Sequence, residues 1–186
     1  MIGERITRHV KLQGVRPLMF DRYPGDNRTE LLVYQKMYFE PGTQNLVMPS
    51  ANLMSFLCAE NTKSAVKMFY DSRQYKSVAS ALLGYVSVDP FLIPITRDGK
   101  QITFNEFEKD GFHVHHSVAR LNKGVPNPKE RPYLDCPWEL EFEISVYPNE
   151  TITEPGVRLL FEKGGIPIGL GTYRGVFGKF VVAEWN

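Results

Sequence analysis

The chain's 186 residues, of which 42% are hydrophobic, 12% aromatic and 23% charged, fit one ordinary globular domain and argue against two independent ones. At this size about 70% of the unfolded chain's surface can be buried, so a core needs no disulfide or metal staple. The 22 Lys and Arg against 21 Asp and Glu leave a net charge of +1, which excludes a protein that grips nucleic acid or an anionic membrane by bulk charge; any polyanion must meet a local patch.

In chain order, Arg5 to Gly14 alternates apolar Ile6, Val10 and Leu12 with Arg5, Thr7, His9, Lys11 and Gln13, the period of a half-buried strand with a basic solvent side. After a Pro- and Gly-containing loop, Leu31 to Phe39 and Asn45 to Met48 flank Pro41-Gly42, which predicts a hairpin. Ser50 is placed to cap a helix from Ala51 to about Ala59, and a second helix is expected over Ser72 to Leu83. Tyr85 to Thr96 reads as a strand interrupted by two prolines, closed onto Gln101 to Phe104 by Asp98-Gly99. Asn105 to Leu134, with Gly124, Pro126, Pro128 and Pro132, reads as an irregular insertion lying over a site or partner. Trp138 to Tyr147 is the clearest strand, with Glu139, Glu141 and Glu143 on its polar side. Thr153 precedes a helix that stops at Gly164-Gly165, and a final strand ends near Trp185. Strands and helices do not alternate steadily, so the expectation is one α+β domain over residues 1–186 with an antiparallel sheet, interrupted at about 105–134.

The charge is uneven. Asp135 to Glu154 carries six acidic residues and no Lys or Arg, whereas Ser117 to Pro132 and Met1 to Lys36 are each +3. Only Cys58 and Cys136 are present, which builds neither a zinc knuckle nor a CxxC site, and the charged start MIGERITRHV has no apolar signal region. A reducing, cytoplasmic setting without a membrane partner is the expectation.

Gly165, Gly169, Gly171, Gly175 and Gly178 fall within fourteen residues, between the last predicted helix and the last strand. Such spacing permits close backbone approach and positive φ, and open amides there can contact phosphate. No Gly-Lys-Ser/Thr closes a P-loop, and a strand rather than a helix follows the glycines, so a nucleotide-binding enzyme is disfavoured. Tyr173, Arg174 and Lys179 add one aromatic and two cations, a mixture suited to stacking and phosphate contact.

The segment IGLGTYRGVFGKF, together with the first strand running into KLQGVRPLMF, the strand WELEFEISVY and the helix GVRLLFEK, resembles the RAMP superfamily, the RNA-binding subunits of CRISPR effector complexes. The likeness is nearest to the backbone subunits that coat the guide RNA, and it covers about a third of the chain. The resemblance implies a ferredoxin-like, modified RRM fold with helices on one face of an antiparallel sheet. It further implies sequence-tolerant binding of single-stranded RNA or DNA, no cofactor, and partnership with copies of the chain or other effector subunits. In that reading Arg16, Arg22, Arg28, Arg120, Lys123, Lys129 and Arg131 form a groove with Gly169, Gly171, Tyr173, Arg174, Gly175, Gly178 and Lys179. The Glu139, Glu141 and Glu143 face would repel RNA and is assigned to solvent or to a basic face of a neighbouring subunit.

Other chemistry is weaker. His113 and His115 would share one strand face and offer two imidazoles to a metal, with Asp110, Asp135 or His9 as a third ligand. Asp21 and Asp26, in the loop after the first strand, and His115 are candidates for RNA cleavage, against the plainer reading of both aspartates as turn residues beside Pro24-Gly25. Tyr34, Tyr38, Phe39, Phe69, Tyr70 and Tyr75 are candidate stacking platforms, but most of them are read as core. The balance favours a binding protein without metal or catalysis; the alternatives are a structural or inhibitor protein of a phage or mobile element, docking without nucleic acid, and a metal-dependent nuclease.

Overall fold

The computed structural model describes residues 3–26, 28–120 and 126–186, the side chains at 119 and 120 excepted. Strand β1 (Ile6–Gly14) leads through β2 (Leu18–Met19) and a 3-10 turn (Val33–Lys36) to β3 (Val47–Pro49). Helices α1 (Ser50–Cys58), α2 (Ala65–Phe69) and α3 (Tyr75–Tyr85) follow, then β4 (Val86–Asp89), β5 (Leu92–Arg97) and β6 (Lys100–Gln101). A long pair, β7 (Phe112–Arg120) and β8 (Pro126–Leu134), precedes β9 (Glu139–Val146), α4 (Glu154–Gly164) and β10 (Phe180–Trp185).

The neighbours β10, β1, β9 and β4 are all antiparallel, with α1–α3 between β1 and β4 and α4 between β9 and β10, which is the α+β, ferredoxin-like arrangement. Pro90 splits the strand predicted over 85–96: β4 pairs with one end of β9 (Val86 opposite Val146), and β5 with the other (Ile95 opposite Leu140). Alternation in β1 and β9 sends Val10, Leu12, Leu140, Phe142 and Ile144 into the core, all at most 2% exposed. There Phe56 of α1 meets Phe161 of α4 and Phe180 of β10 at 5.2 Å each, and burial of each such ring contributes about 1.5–3 kcal/mol.

The structure departs from the sequence expectations in four places. Leu31 to Phe39 is no strand: Gln35 and Met37 donate locally to Leu32 O and Tyr34 O (3.0 and 3.1 Å), leaving a single bridge from Phe39 to Leu46. Ser50 is the first helical residue rather than the cap, because Pro49 takes the cap position and the Ser50 amide donates to Phe91 O at 2.8 Å. The second helix starts at Tyr75, after Asp71 Oδ1 has accepted the Arg73 and Gln74 amides (2.8 and 3.1 Å) in a turn, and the short α2 was not predicted.

The fourth departure is the largest. Residues 112–134, read as irregular, form a ladder from Phe112 opposite Leu134 to Arg120 opposite Pro126. The prolines permit it because Pro126, Pro128 and Pro132 all occupy even positions. The Pro132 carbonyl accepts the Phe20 amide at 3.0 Å and the Glu130 carbonyl accepts Lys36 Nζ at 2.6 Å, so the even residues turn their polar backbone away from β7. No donor to β7 is lost, and at Pro132 the missing N–H falls beside Phe20, just past the end of β2, so the prolines sit where a strand tolerates them.

Candidate nucleic-acid interface

The glycine-rich segment folds flat on β2 and its flanks. Thr172 donates to Met19 O (3.0 Å), Gly178 to Pro17 O (2.7 Å), Leu170 to Gly178 O (2.9 Å) and Gly175 to Ile168 O (2.7 Å). Gly169, Gly171, Gly175 and Gly178 all have positive φ. At Gly178 and Gly171 an added Cβ would lie 2.0 Å from Leu170 O and 2.4 Å from Met19 O. The glycine density is therefore mainly a device for backbone-on-backbone packing, and most of these amides point inward. Those of Gly171, Tyr173 and Arg174 donate to nothing among the described residues; with Thr62 and Lys63 these residues line an open cleft of about 360 Å³.

Arg174 turns inward rather than to a ligand. Its Nη1 donates to Ser55 O (3.2 Å) and Lys63 O (3.0 Å), Nη2 to Ser55 Oγ (2.9 Å) and Nε to Gly171 O (3.3 Å); burial lowers its pKa. It ties the glycine segment to α1. Lys63, which sequence reasoning missed, is the cation over this loop: its Nζ lies 3.1 Å from where Gly175 would carry a Cβ.

Register places His113 and His115 on one face of β7, opposite Tyr133 and Arg131 of β8. Their rings run directly into the glycine segment. His113 stacks on Tyr133 (5.2 Å), Tyr133 meets Phe177 (5.9 Å), and Phe177 meets both His115 (5.5 Å) and Tyr173 (5.9 Å). Tyr173 closes the stripe, 55% exposed. Tyr133 and Phe177 were not predicted; once the 112–134 ladder is known, the period-two spacing of Tyr133 with Arg131 and the place of Phe177 among the glycines identify them.

The two basic stretches do converge, though partly paired. Arg131 Nε donates to Asp21 Oδ2 at 2.7 Å, which puts Asp21 and His115 on either side of Arg131. Arg22, Lys36 and Lys129 line a cleft of about 770 Å³ between the 21–33 loop and β8. Arg16 and Arg28 are exposed and Lys179 is half-buried; the Arg16 carbonyl accepts the Trp138 indole N–H at 2.9 Å. Lys123 and the Arg120 side chain lie outside the described residues. Asp26 is a turn residue, as the plainer reading held: its carboxylate accepts the Arg28 and Thr29 amides at 2.6 Å and the Thr29 hydroxyl at 2.7 Å, which lowers its pKa.

On the open face of the sheet, Lys11 Nζ reaches both Glu139 and Glu141 at 3.1 Å and is held protonated to higher pH by them. The basic side of β1 thus offsets part of the acidic side of β9. Glu143, opposite Asp89 and His9, leaves that face net acidic.

His113 is clamped: Nδ1 lies 2.7 Å from Glu108 Oε2 and Nε2 2.9 Å from Asp135 Oδ2. Two carboxylates favour a doubly protonated ring with no lone pair for a metal, and among the described residues no group of three His, Cys, Asp or Glu is arranged to hold one. The Glu108 hydrogen bond, with the Asp135 charge, outweighs the opposing effect of burial and raises the His113 pKa above the usual value of about 6.5. Because the folded value is the higher one, the clamp's stabilisation is complete below about pH 6.5 and disappears as pH rises through the folded pKa. Urea unfolding of the native protein should show this loss on going from pH 6 to 9, and His113→Gln should flatten it. A His113 imidazole that titrates below 6.5 by NMR would contradict the clamp.

No protein-family model matches the sequence, and no curated protein does. Among solved structures the chain is similar to one in the cryo-electron-microscopy structure of the Type III-B Cmr-beta bound to cognate target RNA, with a TM-score of 0.60 at 13% identity over 98% of this chain. The two share a fold. The chain spans 60% of the length of its Cmr-beta counterpart. No helix among the described residues is long and apolar enough to cross a membrane.

Proposed function

We propose that this chain is a subunit of a CRISPR-effector-like assembly that binds single-stranded RNA. The observation that carries the reading is the ring stripe His113, Tyr133, Phe177, His115, Tyr173, which joins the β7–β8 arm to the glycine segment. Bases of a single strand stack on such rings whatever their identity. Lys63 and the open amides of Gly171, Tyr173 and Arg174 serve phosphates beside Tyr173; Arg22, Lys36 and Lys129 serve them in the cleft along β8 beyond the His115 and Arg131 pair, away from the carboxylates at His113. The acidic sheet face stays off the strand and is available to a basic neighbouring subunit or a further copy. The fold shared with the RNA-bound Cmr-beta structure supports the reading, as does the resemblance to RAMP proteins; the cytoplasm is the corresponding location.

A fluorescently labelled 12-nucleotide RNA should bind with an affinity that falls steeply with added salt, as counterion release requires. Tyr173→Ala should weaken binding about tenfold, the size expected for one lost stacking ring, and leave thermal stability unchanged. Binding that ignores salt, or no binding at all, would overturn the proposal, and a tighter grip on a DNA strand of the same length and sequence would replace RNA by DNA as its ligand.

A further inference from the structure

A third, smaller cleft of about 140 Å³ opens where the end of β2, the start of α1 and the glycine segment meet. Its floor is apolar, from Phe20 and Met48, which are 1% and 0% exposed. Tyr38 forms a side, and the rim carries a carboxylate, a carboxamide and a hydroxyl from Asp21, Asn52 and Thr172. Sites for drug-sized molecules run to about 300–1,000 Å³, so this one admits a single planar ring system. A flat heterocycle with a polar edge is the class of ligand that an apolar floor and a polar rim accept together.

Asn52 has no structural task that explains it. It sits inside the first turn of α1, where asparagine is a poor helix former; the cap position belongs to Pro49. Its side chain is half-buried and makes no hydrogen bond among the described residues. Asp21, by contrast, is held in place: Arg131 occupies Oδ2, and Oδ1 accepts nothing among the described residues.

We infer that this cleft takes one unstacked guanine of the bound strand, an inference that rests on the single-strand-binding reading above. Guanine alone among the four bases presents two adjacent donors, N1–H and N2–H, which a carboxylate accepts side by side, beside an O6 that a carboxamide N–H can satisfy. Adenine would aim the N1 lone pair at Asp21. Uracil offers one donor between two acceptors, and cytosine one amino donor beside two acceptors. The strand is then gripped without regard to sequence along the ring stripe and read at one position here.

The test uses the full chain and four labelled RNAs: twelve uridines, and the same strand with one central guanine, adenine or cytosine. The guanine strand should bind about tenfold tighter than the other three, within the range of one bidentate base contact. Asn52→Ala should bring it to the level of the uridine strand, whose own affinity is unchanged, and Asp21→Asn should abolish the preference as well. Equal affinity for all four strands, or a guanine preference that survives Asn52→Ala, would overturn the guanine site and leave the proposed function standing. Binding of none of them would overturn both.

Discussion

Gly178→Ala should lower the unfolding free energy by about 3 kcal/mol or more, read as a drop in the urea midpoint. Two costs add. The residue holds φ +68, where a side chain costs roughly 1–2 kcal/mol. Its Cβ would also sit 2.0 Å from Leu170 O and 2.8 Å from Leu170 C, backbone atoms that cannot rotate away, and overpacking of this kind costs about 1–3 kcal/mol. Gly42→Ala isolates the first cost: its φ is +76, and nothing lies within 4 Å of the added carbon. The loss there should stop at about 1–2 kcal/mol. Equal losses at the two positions would show that the glycine segment is not packed backbone against backbone.

Arg174→Met is the second large effect, expected at about 3 kcal/mol. The change removes four hydrogen bonds from a guanidinium and takes the side-chain donor from the Lys63 and Gly171 carbonyls and the Ser55 hydroxyl, while Ser55 O keeps the Ala59 amide; bonds to charged groups contribute about 1.5–3 kcal/mol each, and a partner left buried adds its own penalty. Part of that is recovered by the apolar methionine, as it is when buried ions are replaced by side chains of similar volume. Beside it, Tyr173→Ala should leave stability within about 1 kcal/mol, the effect of an exposed residue, and lose RNA affinity instead. The pair separates positioning from contact within two adjacent residues. If Arg174→Met were as stable as the native protein and reduced the salt dependence of binding by one phosphate, the inward placement of Arg174 would be wrong.

The parts of this protein that could be read from sequence are those in which one local rule dominates. In β9, Leu140, Phe142 and Ile144 alternate with glutamates, so period and face were legible; α4 begins directly after Thr153, as expected, and the Thr153 hydroxyl accepts the Gly156 amide. The ladder of β7 and β8 was hidden because proline is counted against a strand, and only the side on which each proline faces, a tertiary fact, makes three of them harmless. The glycine segment was located correctly and its purpose was half legible. Density foretold close approach, whereas the partner approached is the backbone around Met19, some 150 positions away in the sequence. Arg174 was legible as a cation beside glycines but not as one aimed inward, since its acceptors, Ser55 and Lys63, belong to elements that sequence does not place beside it. Tyr133, Phe177 and Lys63 entered only with the ladder and the loop in place.

The position of β1 at the heart of the sheet has a consequence for synthesis. Its ladder partners are β9 and β10, so nothing that can pair with Ile6–Gly14 leaves the ribosome until Glu139 and beyond, on the order of ten seconds later at ordinary elongation rates. Through that interval Val10 and Leu12 wait without a sheet, and such distant pairing slows folding once the chain is whole. Arg5 and Lys11 on the solvent side, with Arg8 among the apolar positions, are the kind of charges that keep a waiting strand from joining another of its own kind. The basic side of β1 thus guards the nascent chain before it ever meets the glutamates of β9.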